Sequence, residues 1–185
     1  QGMRLDLSGF ALQALPEIPT EVEFSHVTEL TLSGMDLEQV STPFLRCFGS
    51  VRRLNLADNR LRRLPDGIGY LSDLRSLQLV RNAIRLDPAG IAILTALPEL
   101  HELDLSFNPL GAPQMHWNHL SELDLLRLRR CSLTAWPSGL ELCGRLTYVD
   151  LRDNQIVSVP TETLQMPLAH RTAFIVDGNP LPAWE

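Results

Sequence analysis

Val51-Arg-Arg-Leu-Asn-Leu-Ala-Asp-Asn-Arg-Leu61 decides how this chain folds. It reads Leu-x-x-Leu-x-Leu-x-x-Asn-x-Leu, with Val51 in the first position, then Leu54, Leu56, Asn59 and Leu61. The phrase recurs in both directions. Aligned on Asn59, its copies fall at Phe10, Met35, Asn59, Asn82, Asn108, Cys131, Asn154 and Asn179, spaced 23 to 26 residues apart. One match would mean little, but eight in register leave few other architectures.

A repeat of this kind cannot bury its own apolar face, whereas stacked copies lay their leucines in continuous columns. The expected fold is an α/β leucine-rich-repeat solenoid. It is a curved arc of about eight repeats, with a parallel sheet on the concave side and short helices or 3-10 turns on the convex side. In the third repeat Leu54 and Leu56 should point inward while Arg53, Asn55 and Ala57 alternate outward. The asparagine amide turns inward where the strand ends and can satisfy backbone groups that a tight coil would otherwise bury unpaired. Cys131 suits the same slot, being small, commonly buried and able to make a weak thiol bond. Phe10 and Met35 cannot extend such a ladder, so the N-terminal end is expected to be less regular. The last copy also departs, with Arg171 in place of its first leucine.

Solenoids generally need polar end caps, and no separate cap is visible near Met3 or before Glu185. The expectation is a single domain, residues 1–185, excised from a larger multidomain protein. No run of about 18 apolar residues is present, so nothing in the chain reads as a membrane span. Cys47, Cys131 and Cys143 are odd in number and form no Cys-x-x-Cys pair. That argues against a disulfide-capped extracellular domain and against a zinc ribbon, and favours a reducing compartment. A net charge of −6 argues against nucleic acid and anionic membranes as general partners. All sixteen basic residues are arginine. Either arginine-rich codon usage or selection against a modifiable amine accounts for the missing lysines.

Prolines divide the convex side. Thr42-Pro43 and Asp87-Pro88 place a capping residue before a proline suited to a first helical turn, and predict helices near 43–48 and 88–96. The second is apolar at Ile91, Ile93, Leu94 and Leu97 and should pack on the sheet. Leu64-Pro65, Trp136-Pro137 and Val159-Pro160 predict extended or tightly turned segments, because the residue before proline avoids helix.

The concave face is where recognition is expected, since packing leaves its outward positions free. Eight strands at ~4.8 Å make it on the order of 35 to 40 Å long. Val80, Phe107, Leu125, Tyr148 and Ile175 are apolar or aromatic residues at outward or turn positions, where clustered apolar groups mark contacts. Arg127, Arg129, Arg130 and Arg152 stand among Asp104, Asp150, Asp153 and Asp177. Arginine and aromatic side chains are the types enriched in interface hot spots. The candidate protein-binding set is Val80, Arg81, Asp104, Phe107, Leu125, Arg127, Arg129, Arg130, Tyr148, Asp150, Arg152 and Ile175. The bland alternative is a solvated ladder of internal ion pairs, with Phe107 covering a neighbouring turn.

Catalytic signals are weak. His116 and His119 lie three apart, but no nearby cysteine or acidic pair completes a metal shell. Cys47 and Cys143 have no histidine at motif spacing, and no glycine-rich phosphate loop occurs. No catalytic residue, metal or cofactor is expected.

Leu5-Asp-Leu-Ser-Gly, Leu12-Gln-Ala-Leu-Pro-Glu-Ile-Pro, His26-Val-Thr-Glu-Leu, Leu128-Arg-Arg-Cys-Ser-Leu-Thr-Ala-Trp-Pro and Arg171-Thr-Ala-Phe-Ile-Val-Asp-Gly-Asn-Pro-Leu resemble the repeat region of pseudomonad-type proteins. Those proteins end in a novel-E3-ligase (NEL) domain of the IpaH/SspH class. The resemblance implies a bacterial effector secreted into the host cytoplasm, whose repeats select a host protein and hold the adjacent ligase domain inactive in cis. It places the catalytic cysteine outside this chain. Cys47, Cys131 and Cys143 lack the Cys-x-Asp motif of that domain, and the repeats exceed the roughly 20 residues of the best-known effectors. The expected partner is thus another protein, with the isolated domain a monomer. A recognition or scaffolding domain attached to a kinase or GTPase is the alternative, and an enzyme using His116, His119 or Cys143 a remote third.

Overall fold

The computed structural model describes residues 2–10 and 15–182; Leu12 of the N-terminal motif and Glu185 lie outside them. Eight parallel strands form one open sheet in chain order: β1 Met3–Asp6, β2 Val27–Thr31, β3 Arg53–Asn55, β4 Ser76–Gln78, β5 Glu102–Asp104, β6 Leu125–Arg127, β7 Tyr148–Asp150 and β8 Phe174–Ile175. Register stacks like positions on like. Leu5, Leu30, Leu54, Leu77, Leu103, Leu126, Val149 and Phe174 pair in succession as one core column. Leu32, Leu56, Leu79, Leu105, Leu128 and Leu151 form a second column, fully buried. Each such side chain contributes ~1.5–3 kcal/mol of burial, and none of it is available to a repeat alone. Ala57, expected outward, is covered as well. The chain already turns after Leu56, so the period of two ends there.

Behind the strand ends runs the asparagine ladder. The Asn59 Nδ2 donates to the carbonyls of Leu32, Leu56 and Ala57, and its Oδ1 accepts from the backbone N–H groups of Met35 and Leu37. Asn82, Asn108, Asn154 and Asn179 repeat the pattern. The Cys131 thiol replaces the cross-repeat donor, lying 3.2 Å from the Leu105 carbonyl. It supplies no acceptor to match Oδ1, and the Leu110 N–H turns to the Asn108 carbonyl of its own repeat, at 2.9 Å.

At Met35 and Cys131, where the slot is not asparagine and the next one is, the coil adjusts in one way. Asp36 and Ser132, which follow Met35 and Cys131, take positive φ angles of 54°. The Oδ1 of the next asparagine then collects two N–H groups, Met35 and Leu37 at Asn59, and Cys131 and Leu133 at Asn154. The N-terminal irregularity is present too. Register shifts between Met3 and Arg4, and Phe10 is 61% exposed, whereas Met35 fills its slot inward.

On the convex side, α1 spans Thr42–Arg46 and α2 spans Pro88–Thr95. Asp87 caps α2 as expected, accepting from the Gly90 N–H at 2.7 Å. The α1 cap is Ser41 rather than Thr42: its hydroxyl takes the Phe44 N–H, which sets Pro43 one place further in. Leu94 and Leu97 of the second segment are buried, with Ile91 and Ile93 partly so. Leu64-Pro65 and Trp136-Pro137 lead into 3-10 turns at Asp66–Tyr70 and Leu140–Leu142. Val159-Pro160 departs from expectation. The restriction on the residue before proline ends at Pro160, and a short helix, α3 Thr161–Leu164, starts directly after it, followed by α4 Leu168–Arg171. Gly67 lets the first 3-10 turn close on α1, since a Cβ there would stand 3.0 Å from the Leu45 Cδ1. Phe24, Phe48 and Phe44 stack near the N-terminal end at 5.0 and 5.2 Å.

Removing a ladder side chain should expose how much the coil relies on it. Asn59→Ala is expected to cost about 3 kcal/mol, because it strands several buried backbone groups at once. Cys131→Ala, which removes one thiol bond and little volume, is expected to cost about 1 kcal/mol. Urea denaturation of the two variants checks the order.

Candidate functional site

The outward columns of the sheet place the residues singled out in the sequence. Leu125 of β6 lies directly opposite Tyr148 of β7, and Arg127 pairs in register with Asp150. The Arg127 guanidinium carbon sits over the Tyr148 ring, 5.3 Å from its centroid. Asp104 of β5 is 4.0 Å from Arg127. Leu125, Tyr148 and Arg127 thus form one half-buried patch on adjacent strands. Ile175 lies beyond it on β8, opposite Asp150.

Several charges of the set are satisfied internally. Arg129 bonds Asp153 at 2.7 Å, and its own N–H is taken by the Ser106 hydroxyl. Arg152 forks onto Asp150, with Nε 2.9 Å from one oxygen and the terminal nitrogen 2.8 Å from the other. Asp150 also accepts the Arg152 backbone N–H. Only 2% exposed, Asp150 is closed to a partner, and the structure corrects its assignment from contact to support. Burial alone would raise its carboxyl, but the side-chain and backbone bonds from Arg152, with the nearby Arg129 charge, outweigh that and hold it below the ordinary value.

The residue before the ladder slot has a geometry that periodicity did not reveal. Gly9, Gly34, Asp58, Arg81, Phe107, Arg130, Asp153 and Gly178 all have positive φ, between 50° and 79°. The left-handed backbone turns these residues onto a ridge beside the sheet. Glycine takes it without strain, whereas a bulky side chain there is an outlier. Phe107, at φ 62°, has Arg81 4.6 Å and Arg130 5.8 Å from its ring centroid. Val80, half-buried, precedes Arg81, and its carbonyl accepts the Asp58 N–H. Glycine at this position in three of the eight repeats, with aspartate in two more, was the sequence signal for this ridge.

His116 and His119, whose rings are 5.7 Å apart, line an open convex cleft of about 590 Å³ with Trp136, Glu141 and Glu162. Among the described residues, no group of three or more histidine, cysteine, aspartate or glutamate side chains is arranged to hold a metal ion. Burial pushes the Cys131 thiol up to about 12 and the Cys143 thiol up to about 11, the opposite of what a nucleophile needs. No helix among the described residues is long and apolar enough to cross a membrane.

Comparison with known proteins agrees with this geometry. The Leucine Rich Repeat family matches residues 50–71. Osteomodulin from Rattus norvegicus is 27% identical over 185 residues, covering 86% of this chain and 42% of osteomodulin. An adenylate cyclase from Podospora anserina is 29% identical over 177 residues, covering 96% of this chain and 8% of the cyclase. Among solved structures, an internalin from Listeria monocytogenes superposes with a TM-score of 0.63 at 16% identity, over 86% of this chain and 51% of the internalin. The fold is a leucine-rich-repeat solenoid, an architecture suited to protein–protein recognition. The chain spans less than half the length of either curated relative.

The Asp150–Arg152 fork makes a pH prediction. Because the folded carboxyl is held below its unfolded value of ~3.9, its contribution is present above about pH 4 and is lost as pH falls through the lower folded value. Arg152 is about a third exposed, at 34%, so solvent screens the pair. Asp150→Asn is expected to cost about 2 kcal/mol at pH 7 and to flatten the acid limb of stability below pH 4. Urea melts at a series of pH values measure both.

Proposed function

We propose that this domain recognises another protein through the sheet face of repeats four to seven, as the target-selecting arm of a bacterial NEL-type ubiquitin ligase effector acting in the host cytoplasm. The observation that carries the recognition reading is the Leu125–Tyr148 pair. Two apolar side chains lie side by side at outward positions of a rigid parallel sheet, with the Arg127 guanidinium over the ring. Rigid aromatic and arginine groups lose little entropy on binding and dominate interface energies. Arg129, Arg152 and Asp104, tied to neighbours, frame the patch rather than anchor it.

The ligase context rests on the quoted motifs that resemble repeats preceding NEL domains. The missing lysines accord with it, since such an arm offers a ligase no side-chain amine of its own. A second reading has its own support: the match to 8% of a fungal adenylate cyclase fits a recognition segment of another large multidomain protein. In that case the partner-binding face stays the same and the attached activity differs.

With the domain as bait, a photo-crosslinker beside Leu125 is expected to trap a partner. Leu125→Ala/Tyr148→Ala should weaken that capture at least tenfold, equivalent to about 1.4 kcal/mol. Undiminished capture by the double variant would remove the face from the interface. Ubiquitin discharge by the full-length protein, measured in the same preparation, separates the two contexts: none at any time point would exclude the ligase reading.

A further inference from the structure

The arginines on the sheet face and its ridge fall into two groups. Arg4 lies 3.6 Å from Asp6, Arg53 3.9 Å from Glu102, Arg127 4.0 Å from Asp104, Arg129 2.7 Å from Asp153 and Arg152 2.8 Å from Asp150. Arg81 and Arg130 have no carboxylate within 4.0 Å among the described residues. Both are instead gathered round one phenyl ring, that of Phe107. In a chain of net charge −6, these two guanidinium groups are held together without a direct carboxylate partner, with Asp58 and Asp153 at the next ridge positions on either side.

The backbone under this group is strained at its centre. Glycine fills the ridge position at Gly9, Gly34 and Gly178, and aspartate or arginine at Asp58, Arg81, Arg130 and Asp153, whereas the fifth repeat holds a phenylalanine there. Its N–H is pinned to the Arg129 carbonyl at 2.8 Å, so neighbouring repeats enforce the conformation. Strain of this kind persists where the surroundings over-determine it and clusters at ligand clamps. The half-buried ring lies between the arginine of the repeat before and the arginine of the repeat after.

Spacing defines what would fit. Arg81 and Arg130 are two repeats apart, so their backbones are separated by ~10 Å. That is too far for one carboxylate to fork onto both. In an extended segment, residues four apart share a face and stand ~13 Å apart, with one residue of the same face between them. Two acids so placed can each meet one of the two guanidinium groups, and the side chain between them lies by the ring.

We propose that Arg81, Phe107 and Arg130 form a clamp for an extended acidic segment of a partner protein, of the pattern acid-x-apolar-x-acid. Each arginine takes one carboxylate by a forked pair of hydrogen bonds, and Phe107 takes the apolar side chain. The clamp rests on the protein-recognition reading above but on different residues.

The test is fluorescence anisotropy of the whole chain with a labelled peptide, Gly-Glu-Ser-Leu-Ser-Glu-Gly, against its glutamine counterpart. The acidic peptide is expected to bind at least tenfold tighter and to weaken as salt is raised. Arg81→Gln/Arg130→Gln should bring the two peptides level, with thermal unfolding unchanged as the folding control. Phe107→Gly, which suits the left-handed backbone and so should fold, is expected to weaken binding at least fivefold. Arg53→Gln, on a paired arginine, should change nothing.

Equal binding of the two peptides, or indifference to the Arg81→Gln/Arg130→Gln change, overturns the clamp. So does preference for a singly phosphorylated peptide over the two-carboxylate one, or self-association of the chain that the same double variant abolishes. Partner capture that depends on Leu125 and Tyr148 but not on Arg81 and Arg130 would overturn the clamp alone and leave the sheet-face reading standing.

Discussion

Tight coiling turns backbone N–H and carbonyl groups inward at every strand end, and each must find a partner or cost ~1–3 kcal/mol. The asparagine amide is the answer used in five of the eight repeats, because one side chain offers two donors and an acceptor at the reach the coil needs. Everything else follows from that pairing. It fixes the point at which each strand stops, brings successive repeats into register, and lets the leucine columns close without gaps. Where the amide is missing, at Met35 and Cys131, the next residue flips to a left-handed conformation and the following asparagine takes the extra N–H. The requirement is conserved within the molecule even where the residue is not.

The same constraint separates a surface that is neutralised from one that is not. Sheet-face arginines find acids either two residues along their own repeat, as Arg152 does at Asp150, or on nearby repeats, as Arg127 does at Asp104. Ridge residues stand on the left-handed turn just after the strand; Asp153 there still pairs with Arg129, whereas Arg81 and Arg130 have no carboxylate within 4.0 Å among the described residues. Asp150, buried under Arg152, shows the first situation, and Arg81 and Arg130 about Phe107 show the second.

Most of the fold was legible because its determinants are local and repeated. The phrase around Asn59 gives the strand, the inward leucines and the slot; Asp87-Pro88 gives a helix start that the structure places where expected. Less legible were features set by the third dimension. Ser41 wins the α1 cap over Thr42 through the geometry of one hydroxyl, and Pro160 starts a helix that its extended predecessor obscures. On the candidate face, residue type marked Leu125, Tyr148 and Arg127, but alternation could not tell that Asp150 would be buried or that Ala57 would be covered. Nor could composition reveal which arginines have acids beside them, because the partners lie two residues away for Arg4 and Arg152 and one or two repeats away for Arg53, Arg127 and Arg129. The ridge left only a faint trace, glycine exchanging with larger residues at one position.

The thiol at Cys131 has a structural consequence. At that junction the slot contributes a weak sulfur donor and no acceptor, and Leu110 bonds within its own repeat instead of across. The Gly111 N–H bonds across to the Cys131 carbonyl in its place, at 3.1 Å, so the junction beneath Phe107 and Arg130 is closed by backbone rather than by an amide side chain. A cysteine is thus tolerated in the slot because the coil moves the cross-repeat bond one residue along, from Leu110, two past the slot, to Gly111 after it.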